Sequence, residues 1–267
     1  MPVTVSTFYK FAAVAEPAVL RESLLAVARE QEIKGTILIA PEGINATIAG
    51  PDAGVRNVLA WLRADARFAD LTSKESYTDE MPFGRLKVRL KREIVTLRRP
   101  EADPSERVGT YVKPADWNAL IADPDVLVVD TRNAYEVGIG TFPGAIDPET
   151  RTFGEFPDFV ARNLDPAKHK RVAMFCTGGI RCEKASAFML SQGFPEVYHL
   201  EGGILKYLET VAPEESLWQG ECFVFDERVA LEHGVKPGSH FMCKACGAPI
   251  PAGDEHAHAA RCPRLSR

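Results

Sequence analysis

The N-terminal third of the chain alternates between short apolar runs and segments with helical spacing. Val3–Phe11 and residues 33–40 are rich in β-branched and other apolar side chains, which favours strands. Residues 16–32 place apolar side chains on one helical face and have a proline near their start, so they predict a helix. A tight turn after residue 40 then leads into a further strand at 44–49.

This pattern continues with a second helix and a last strand. Pro51 and Asp52 open another segment with helical spacing, and residues 85–90 alternate apolar and basic side chains as a strand does. The resulting order, βαββαβ, is typical of a ferredoxin-like sandwich. We therefore predict a ferredoxin-like α+β domain over residues 1–97.

Fully apolar runs alternate with helical segments in the second half of the chain. Residues 126–129 form one such run, and residues 172–175 form another, directly before Cys176. Runs of this kind are typical of strands that are buried on both faces of a parallel sheet. Together with helices near 156–163 and from Cys182 onward, they predict a parallel α/β layer structure.

The predicted second domain spans residues 112–212. Residues 98–111 are polar and contain proline, so we interpret them as an inter-domain linker. Residues 213–267 form a short C-terminal tail that contains cysteine. The predicted fold class is therefore α/β, with a ferredoxin-like domain followed by a parallel-sheet domain and this tail.

Composition and charge are those of an ordinary globular protein. The chain has 267 residues, of which 45% are hydrophobic, enough for two modest domains. Its formal net charge of −5 gives no global electrostatic case for nucleic-acid binding, so any such surface must be local. We expect a cytoplasmic protein without a membrane segment, because no secretory signal or membrane-length apolar run is evident and six cysteines suit a reducing compartment.

The strongest chemical signal is the segment CTGGIR, which begins at Cys176 and ends at Arg181. It lies between a predicted strand and a predicted helix, so backbone N–H groups and the helix N-terminus converge near the thiol. These groups and the charge of Arg181 are expected to lower the pKa of Cys176 and make it a reactive thiolate. The predicted anion cradle consists of Thr177, Gly178, Gly179 and Ile180.

Two other interpretations of this loop imply different chemistry. A buried cysteine at a strand end would need neither the two glycines nor the arginine. Cysteine phosphatases need Cys-x5-Arg to enclose a phosphate, whereas Arg181 is the fifth residue after Cys176, and this shorter loop suits a sulfur atom better. Cys182 follows directly, either as a thiol that resolves an oxidised or persulfidated Cys176 or as a mere neighbour.

Basic and apolar residues alternate along the last predicted strand of the N-terminal domain. Arg85, Lys87, Arg89 and Lys91 therefore share one face of that strand, and we refer to these four side chains as the basic row. Such a row could follow a phosphate backbone. The alternative is a solvated or ion-paired sheet face, because no aromatic residue interleaves with the cations to stack on bases.

The tail contains a candidate metal site. Cys243 and Cys246 form a Cys-x2-Cys pair, and His258 and Cys262 form a His-x3-Cys pair, a combination that is similar to structural zinc sites. His256 is an alternative to His258. A tail that binds no metal is the other interpretation.

The Cys176 loop resembles the active-site loop of the rhodanese family, in which the loop cysteine carries a persulfide. Asp130, Arg132 and Glu136 resemble further landmarks of that domain. We expect these three residues to form ion pairs that stabilise the fold, and we expect His199 to be structural.

A narrower resemblance covers nearly the whole chain. Residues 35–45, 175–185 and 223–228 are similar to the bacterial rhodanese-like tRNA uridine hydroxylases, which join an acylphosphatase-like domain, a rhodanese domain and a cysteine-bearing tail. The resemblance implies an oxidoreductase of tRNA modification that hydroxylates the wobble uridine at C5, with molecular oxygen as co-substrate. We take Cys176, Arg181 and Cys182 as the candidate catalytic residues.

The same resemblance implies the tRNA anticodon loop as partner. The basic row would hold its phosphates while one base is presented to Cys176. Two alternatives are a sulfurtransferase that moves persulfide sulfur from Cys176, supplied by thiosulfate or a protein persulfide, and a non-catalytic RNA-binding or sulfur-carrier adaptor. The six histidines give no convincing iron triad, so the sequence identifies no redox cofactor, and it does not indicate the oligomeric state.

Overall fold

A computed structural model describes residues 2–264 of the chain. It confirms the predicted fold class, because a five-stranded sheet forms the N-terminal domain and a four-stranded parallel sheet forms the second. Within residues 2–264, no helix is long and apolar enough to cross a membrane.

Helices and strands alternate along most of the chain. The helices are α1 (Pro17–Glu30), α2 (Asp52–Arg63), α3 (Pro114–Ile121), α4 (Ala134–Val137), α5 (Phe156–Asn163), α6 (Ile180–Ser191), α7 (Gly203–Thr210) and α8 (Glu255–Arg261). The strands of the two main sheets and their connections are β1 (Val3–Phe11), β2 (Lys34–Ala40), β3 (Gly43–Gly50), β4 (Ser73–Thr78), β5 (Leu86–Leu90), β6 (Thr110–Val112), β7 (Val126–Asp130), β8 (Gly140–Thr141), β9 (Arg171–Phe175) and β10 (Glu196–Leu200). The short strands of the tail are β11 (Gln219–Gly220), β12 (Cys222–Phe223), β13 (Ala230–Glu232), β14 (Lys236–Pro237), β15 (Phe241–Met242) and β16 (Pro249–Ile250).

The N-terminal sheet has the strand order β4-β1-β3-β2-β5. Its apolar side chains pack against α1 and α2, and Phe8, Leu24, Ile37 and Val58 are among the buried residues of this core. Since successive side chains of a strand point to opposite faces, the neighbours of Phe8 lie on the other face. That face is lined by polar side chains such as Thr7 and Tyr9 and faces the second domain.

One N-terminal strand was not predicted. Ser73–Thr78 (β4) pairs with β1 at the position expected for the last strand, and Leu86–Leu90 (β5) adds a fifth strand parallel to β2. The predicted order βαββαβ is therefore wrong in this respect. The sequence SKESYT lacks apolar alternation, because β4 is an edge strand whose inner side faces a polar cavity.

The second domain has the strand order β6-β10-β9-β7, and all neighbouring strands are parallel. Helices α5 and α6 pack on one face of this sheet, while α3, α7 and the start of the tail pack on the other. Burial on both faces explains why the central strands are apolar throughout.

Part of the segment interpreted as a linker belongs physically to the second domain. Ala102 is buried in its core, as is Leu97 directly before this segment, and Thr110–Val112 forms the edge strand β6. The domain boundaries given above remain predictions.

The two domains are joined by polar contacts. Lys184 on α6 lies 2.8 Å from a carboxylate oxygen of Glu42 and 2.6 Å from one of Glu93. Tyr9 on β1 donates its hydroxyl to Glu183 over 2.7 Å. These contacts position the N-terminal sheet over the loop that follows β9.

Candidate active site

Cys176 follows directly after β9, a central strand of the parallel sheet. Gly179, the N-cap residue of α6, donates its backbone N–H to Cys176 Sγ over 3.1 Å. Its φ of 103° is in the left-handed region, and a Cβ there would lie 2.9 Å from the hydroxyl of Tyr9. The loop therefore requires glycine at this position.

Arg181 binds Glu136. Its two terminal nitrogens donate to the two carboxylate oxygens over 2.6 and 2.7 Å, and one of them also donates to Thr177 over 3.2 Å. Burial raises the pKa of Glu136, but the charge and hydrogen bonds of Arg181 outweigh it and lower that pKa. The charge of Arg181 is thus matched by a buried carboxylate, and the pair fixes the shape of the loop.

The surroundings of Cys176 favour its thiolate. The side chain is buried, and burial raises the pKa of a thiol. The hydrogen bond from Cys182, the charge of Arg181 and the N–H groups of Cys182 and Gly179 outweigh burial and hold the pKa of Cys176 well below its usual range. These interactions therefore favour the thiolate of Cys176 over its thiol.

Cys182, in contrast, favours its protonated thiol form. It is fully buried on α6, with its Sγ 3.5 Å from Thr131 Oγ1. Burial and the hydrogen bond to the negative Cys176 raise the pKa of Cys182 well above its usual range. The surroundings of the two residues thus favour a thiolate at Cys176 and a thiol at Cys182.

The remaining residues expected to be structural lie outside this site. Arg132 and Asp130 are both fully buried and form a salt bridge of 2.6 Å. His199 is buried, its Nε2 lies 3.2 Å from the carbonyl oxygen of Gly109, and burial lowers its pKa to about 4. Within the described part of the chain, none of these side chains lines the cavity at Cys176.

A cavity of about 460 Å³ lies between the N-terminal sheet and the Cys176 loop. The sheet contributes polar side chains to one wall, and the loop contributes another. A third wall comes from the tail. Lining residues from these three walls include Thr7, Tyr9, Asn45, Thr47, Lys74, Cys176, Thr177, Gly178, Ile180, Arg181, Phe225 and Arg228.

Apart from Lys91, sequence reasoning missed the residues that the N-terminal domain and the tail place in this cavity. Phe225 is 61% exposed although it is aromatic, and its ring packs edge-to-face on that of Phe223 with 5.2 Å between centroids. Lys74 and Tyr9 line the cavity from strands β4 and β1 of the N-terminal sheet. The signal available in the sequence was the resemblance of residues 35–45 and 223–228 to a known family.

The basic row lies on the sheet face that continues the cavity wall. Lys87 and Arg89 are the strand partners of Thr36 and Leu38, which line the cavity, and Lys91 lines it as well. The side chains of the row are exposed apart from a half-buried Lys87. In the part of the chain that the structure describes, none of the four forms an ion pair.

The structure brings the four predicted metal-ligating residues of the tail together. The ligand atoms of Cys243, Cys246, His258 and Cys262 all lie within 4.8 Å of one another. Cys243 and Cys262 are separated by 4.0 Å between sulfur atoms, and Cys246 Sγ lies 3.4 Å from His258 Nε2. His256, the alternative ligand, is exposed and outside this cluster.

Fold and site together define a rhodanese-like domain with a reactive cysteine loop, joined to a small acylphosphatase-like domain. Residues 3–94 match the family described as UPF0176 acylphosphatase like domain, and residues 113–210 match the Rhodanese-like domain. Over 249 residues the chain is 60% identical to the tRNA uridine(34) hydroxylase of Rhizobium etli, which covers 93% of this chain and 81% of that protein. The chain therefore belongs to the tRNA uridine(34) hydroxylase family.

Solved structures align with parts of the chain. A rhodanese-related protein from Thermoplasma volcanium is 25% identical and covers 39% of this chain and 95% of its own, with a TM-score of 0.32. The BLUF protein BlrB in its dark state is 17% identical and covers 33% of this chain and 71% of its own, with a TM-score of 0.30.

Proposed function

We propose that this protein hydroxylates the wobble uridine of tRNA at C5, with molecular oxygen as co-substrate. The observation that supports this best is the cavity of about 460 Å³ at Cys176, in a chain that is 60% identical to a tRNA uridine(34) hydroxylase. Its size is within the range of small-molecule sites, about 300–1,000 Å³, and suits a base that has left its stack.

Cys176 is the reactive group in this proposal. Its thiolate lines the cavity, and the N–H of Gly179 stabilises the negative charge on sulfur. Arg181 positions the loop through Glu136 and Thr177.

The electron balance gives Cys182 a role. Dioxygen places one oxygen atom on C5, and reduction of the other atom to water takes two electrons and two protons. Uridine, dioxygen and two thiols thus yield 5-hydroxyuridine, water and one disulfide. Cys176 in the loop and Cys182 in the first turn of α6 supply these electrons, and an external thiol then reduces the disulfide by exchange.

The anticodon loop is held by the basic row and by Phe225 in this proposal. The row contacts phosphates next to the cavity, where none of its cations is bound to a carboxylate of the described residues. Phe225 offers an exposed ring at the cavity on which an unstacked base can stack.

Replacing Phe225 by alanine should weaken binding of an anticodon stem-loop about tenfold, since one base–aromatic stack contributes about 1–3 kcal/mol. Fluorescence anisotropy with a labelled stem-loop measures this. Tyr77→Ala is the matched control, because Tyr77 is 53% exposed but does not line the cavity. Equal affinities of the two variants would exclude Phe225 from base stacking.

We also propose that the tail holds a structural zinc ion through Cys243, Cys246, His258 and Cys262. A tetrahedral site with usual zinc–ligand distances has edges of about 3.8 Å between sulfurs and about 3.5 Å between sulfur and nitrogen. The measured separations of 4.0 and 3.4 Å are close to these edges.

Nucleoside mass spectrometry of tRNA from cells with and without this gene tests the proposed reaction. We expect 5-hydroxyuridine to be lost from the wobble position in the deleted strain and restored by the wild-type gene. Loss of thiolated bases instead would identify a sulfurtransferase, and unchanged nucleosides would favour the adaptor. Either result would overturn the hydroxylase proposal.

A further inference from the structure

Lys74 occupies a specific position opposite the Cys176 loop. It lies on β4, where its Cα pairs with that of Thr7, and its side chain lines the same cavity as Cys176. Its Cε is 3.2 Å from the place where a Cβ of Gly202 would lie.

The turn that contains Gly202 and Gly203 lies next to Lys74 and packs directly on the reactive loop. A Cβ at Gly203 would lie 2.5 Å from the carbonyl oxygen of Cys176 and 2.7 Å from the nitrogen of Gly179. Only glycine permits this approach. Only the backbone of this turn therefore separates Lys74 from the loop that carries the sulfur atom of Cys176.

The other cations of the cavity are paired or exposed. Arg181 is bound to Glu136, Arg228 is bound to Asp226 over 2.6 Å, and Lys91 is exposed. Lys74 is half-buried and forms no ion pair with the described residues; its ammonium lies 5.4 Å from the ring centroid of Tyr9.

The carboxylates near Lys74 are already engaged. Glu183 accepts the hydroxyl of Tyr9, and Glu209 pairs with Lys206 over 2.8 Å. Burial lowers the pKa of Lys74, while the negative charges of Cys176, Glu183 and Glu209 act against this and the charge of Lys206 adds to it.

We propose that Lys74 is the cation that the N-terminal domain provides to the thiolate of Cys176. Glu136 offsets part of the charge of Arg181, whereas Lys74 forms no ion pair with the described residues, so its charge adds to that of Arg181 at the thiolate. The reactive site is therefore complete only when both domains are docked. This inference deepens the proposed function, since it rests on Cys176 as the reactive group.

Titration of the thiolate in the absence of tRNA tests the inference. The ultraviolet absorbance of the thiolate is followed against pH in the full chain, with Cys176→Ser as the blank. We expect Lys74→Met to raise the pKa of Cys176 by about one unit, the lower end of the effect of a nearby opposite charge, and Lys74→Arg to restore most of the shift.

The control is Lys168→Met, which removes an exposed cation that does not line the cavity and should leave the titration unchanged. Circular dichroism checks that each variant is folded, and Lys74→Gln replaces the methionine variant if that protein is unstable. A pKa of Cys176 equal to that of the wild type in folded Lys74→Met or Lys74→Gln protein would overturn the inference.

The two proposals fail separately. A shifted titration in a protein that does not form 5-hydroxyuridine would leave Lys74 as the thiolate partner and remove the hydroxylase proposal. An unshifted titration in an enzyme that forms 5-hydroxyuridine would remove the inference about Lys74 and leave the hydroxylase proposal in place.

Discussion

Cys176 and Cys182 stand close together, yet their surroundings favour opposite charges. The N–H of Gly179 reaches Cys176 from the loop, whereas Cys182 is enclosed by apolar residues and by Thr131. The difference is electrostatic, because a thiolate is stable only where hydrogen-bond donors compensate for lost water.

Replacing Cys176 by serine should abolish tRNA modification while leaving the protein folded, because a hydroxyl does not ionise at neutral pH and cannot supply electrons to the reaction as a thiol does. Cys182→Ser should retain single-turnover activity better than Cys176→Ser if Cys182 only resolves. Nucleoside mass spectrometry on purified tRNA incubated with each variant measures both. Near-normal modification by folded Cys176→Ser protein would contradict the assignment, and a more damaging Cys182→Ser change would reverse the two roles.

The lowered pKa of Cys176 also predicts how the stability of the fold and the thiolate absorbance change with pH. Because the folded-state pKa lies below the value in an unfolded chain, the thiolate stabilises the fold at pH values above the unfolded pKa. That contribution falls as the pH falls through the folded pKa. Thiolate absorbance assigned to Cys176 should therefore persist through neutral pH and disappear only in acid. If this absorbance is instead lost in the alkaline range where ordinary thiols titrate, the loop does not stabilise the thiolate of Cys176.

Strand β5 shows how an element can serve two surfaces. Val88 packs into the N-terminal core, while the basic row projects from the opposite face. This alternation allows an edge strand to be held in the fold and still present cations beside the cavity.

Reversing Lys87 and Arg89 to glutamate should weaken tRNA binding strongly and with little dependence on tRNA sequence, because phosphate contacts position rather than specify. The slope of log K against log salt should become shallower by about one unit per contact removed. Reversing Lys168 and Lys170, which are exposed at the opposite end of the parallel sheet, is the matched control. Unaltered affinity and slope in the folded β5 variant would exclude this face as the RNA platform.

The tail joins a two-stranded sheet to a short helix through its cysteine and histidine cluster. We expect purified protein to contain about one zinc ion per chain and to lose order in the tail with a chelator, because metal binding and local folding are coupled. Elemental analysis should show that His258→Ala loses zinc and that His256→Ala retains it. Freshly purified, reduced protein without metal would contradict the site.

At the scale of the whole molecule, the cavity exists because two domains meet. Lys184 is 2% exposed and binds Glu42 and Glu93 of the N-terminal half, so one ammonium compensates two carboxylates at the interface. The N-terminal sheet is thereby held above the Cys176 loop.

Replacing Lys184 by methionine should lower the free energy of unfolding by about 3 kcal/mol, since removing one partner of a buried ion pair leaves uncompensated charge. Urea denaturation measures this loss. Lys168→Met, which removes a 78% exposed ammonium 3.8 Å from Asp165, should cost about 0–1 kcal/mol. Equal stability of the two variants would show that Lys184 does not hold the domains together.

The sequence by itself determined the features that depend on local spacing. The apolar runs before Asp130 and Cys176 predicted buried parallel strands, and the glycines before Arg181 predicted the loop. The spacing in the tail identified a set of four side chains that the fold does bring together. Such features depend on neighbours in the chain, so their pattern is visible without a fold.

Only the tertiary structure decided which surfaces meet at the reactive sulfur. It places Lys74, Tyr9 and Phe225 in one cavity with Cys176, and it gives Arg181 a buried partner in Glu136. It also pairs β4 with β1, although β4 has no apolar alternation. Contacts between residues so far apart in the chain depend on how whole faces pack, and the periodicity of a single segment does not encode which face another domain will cover.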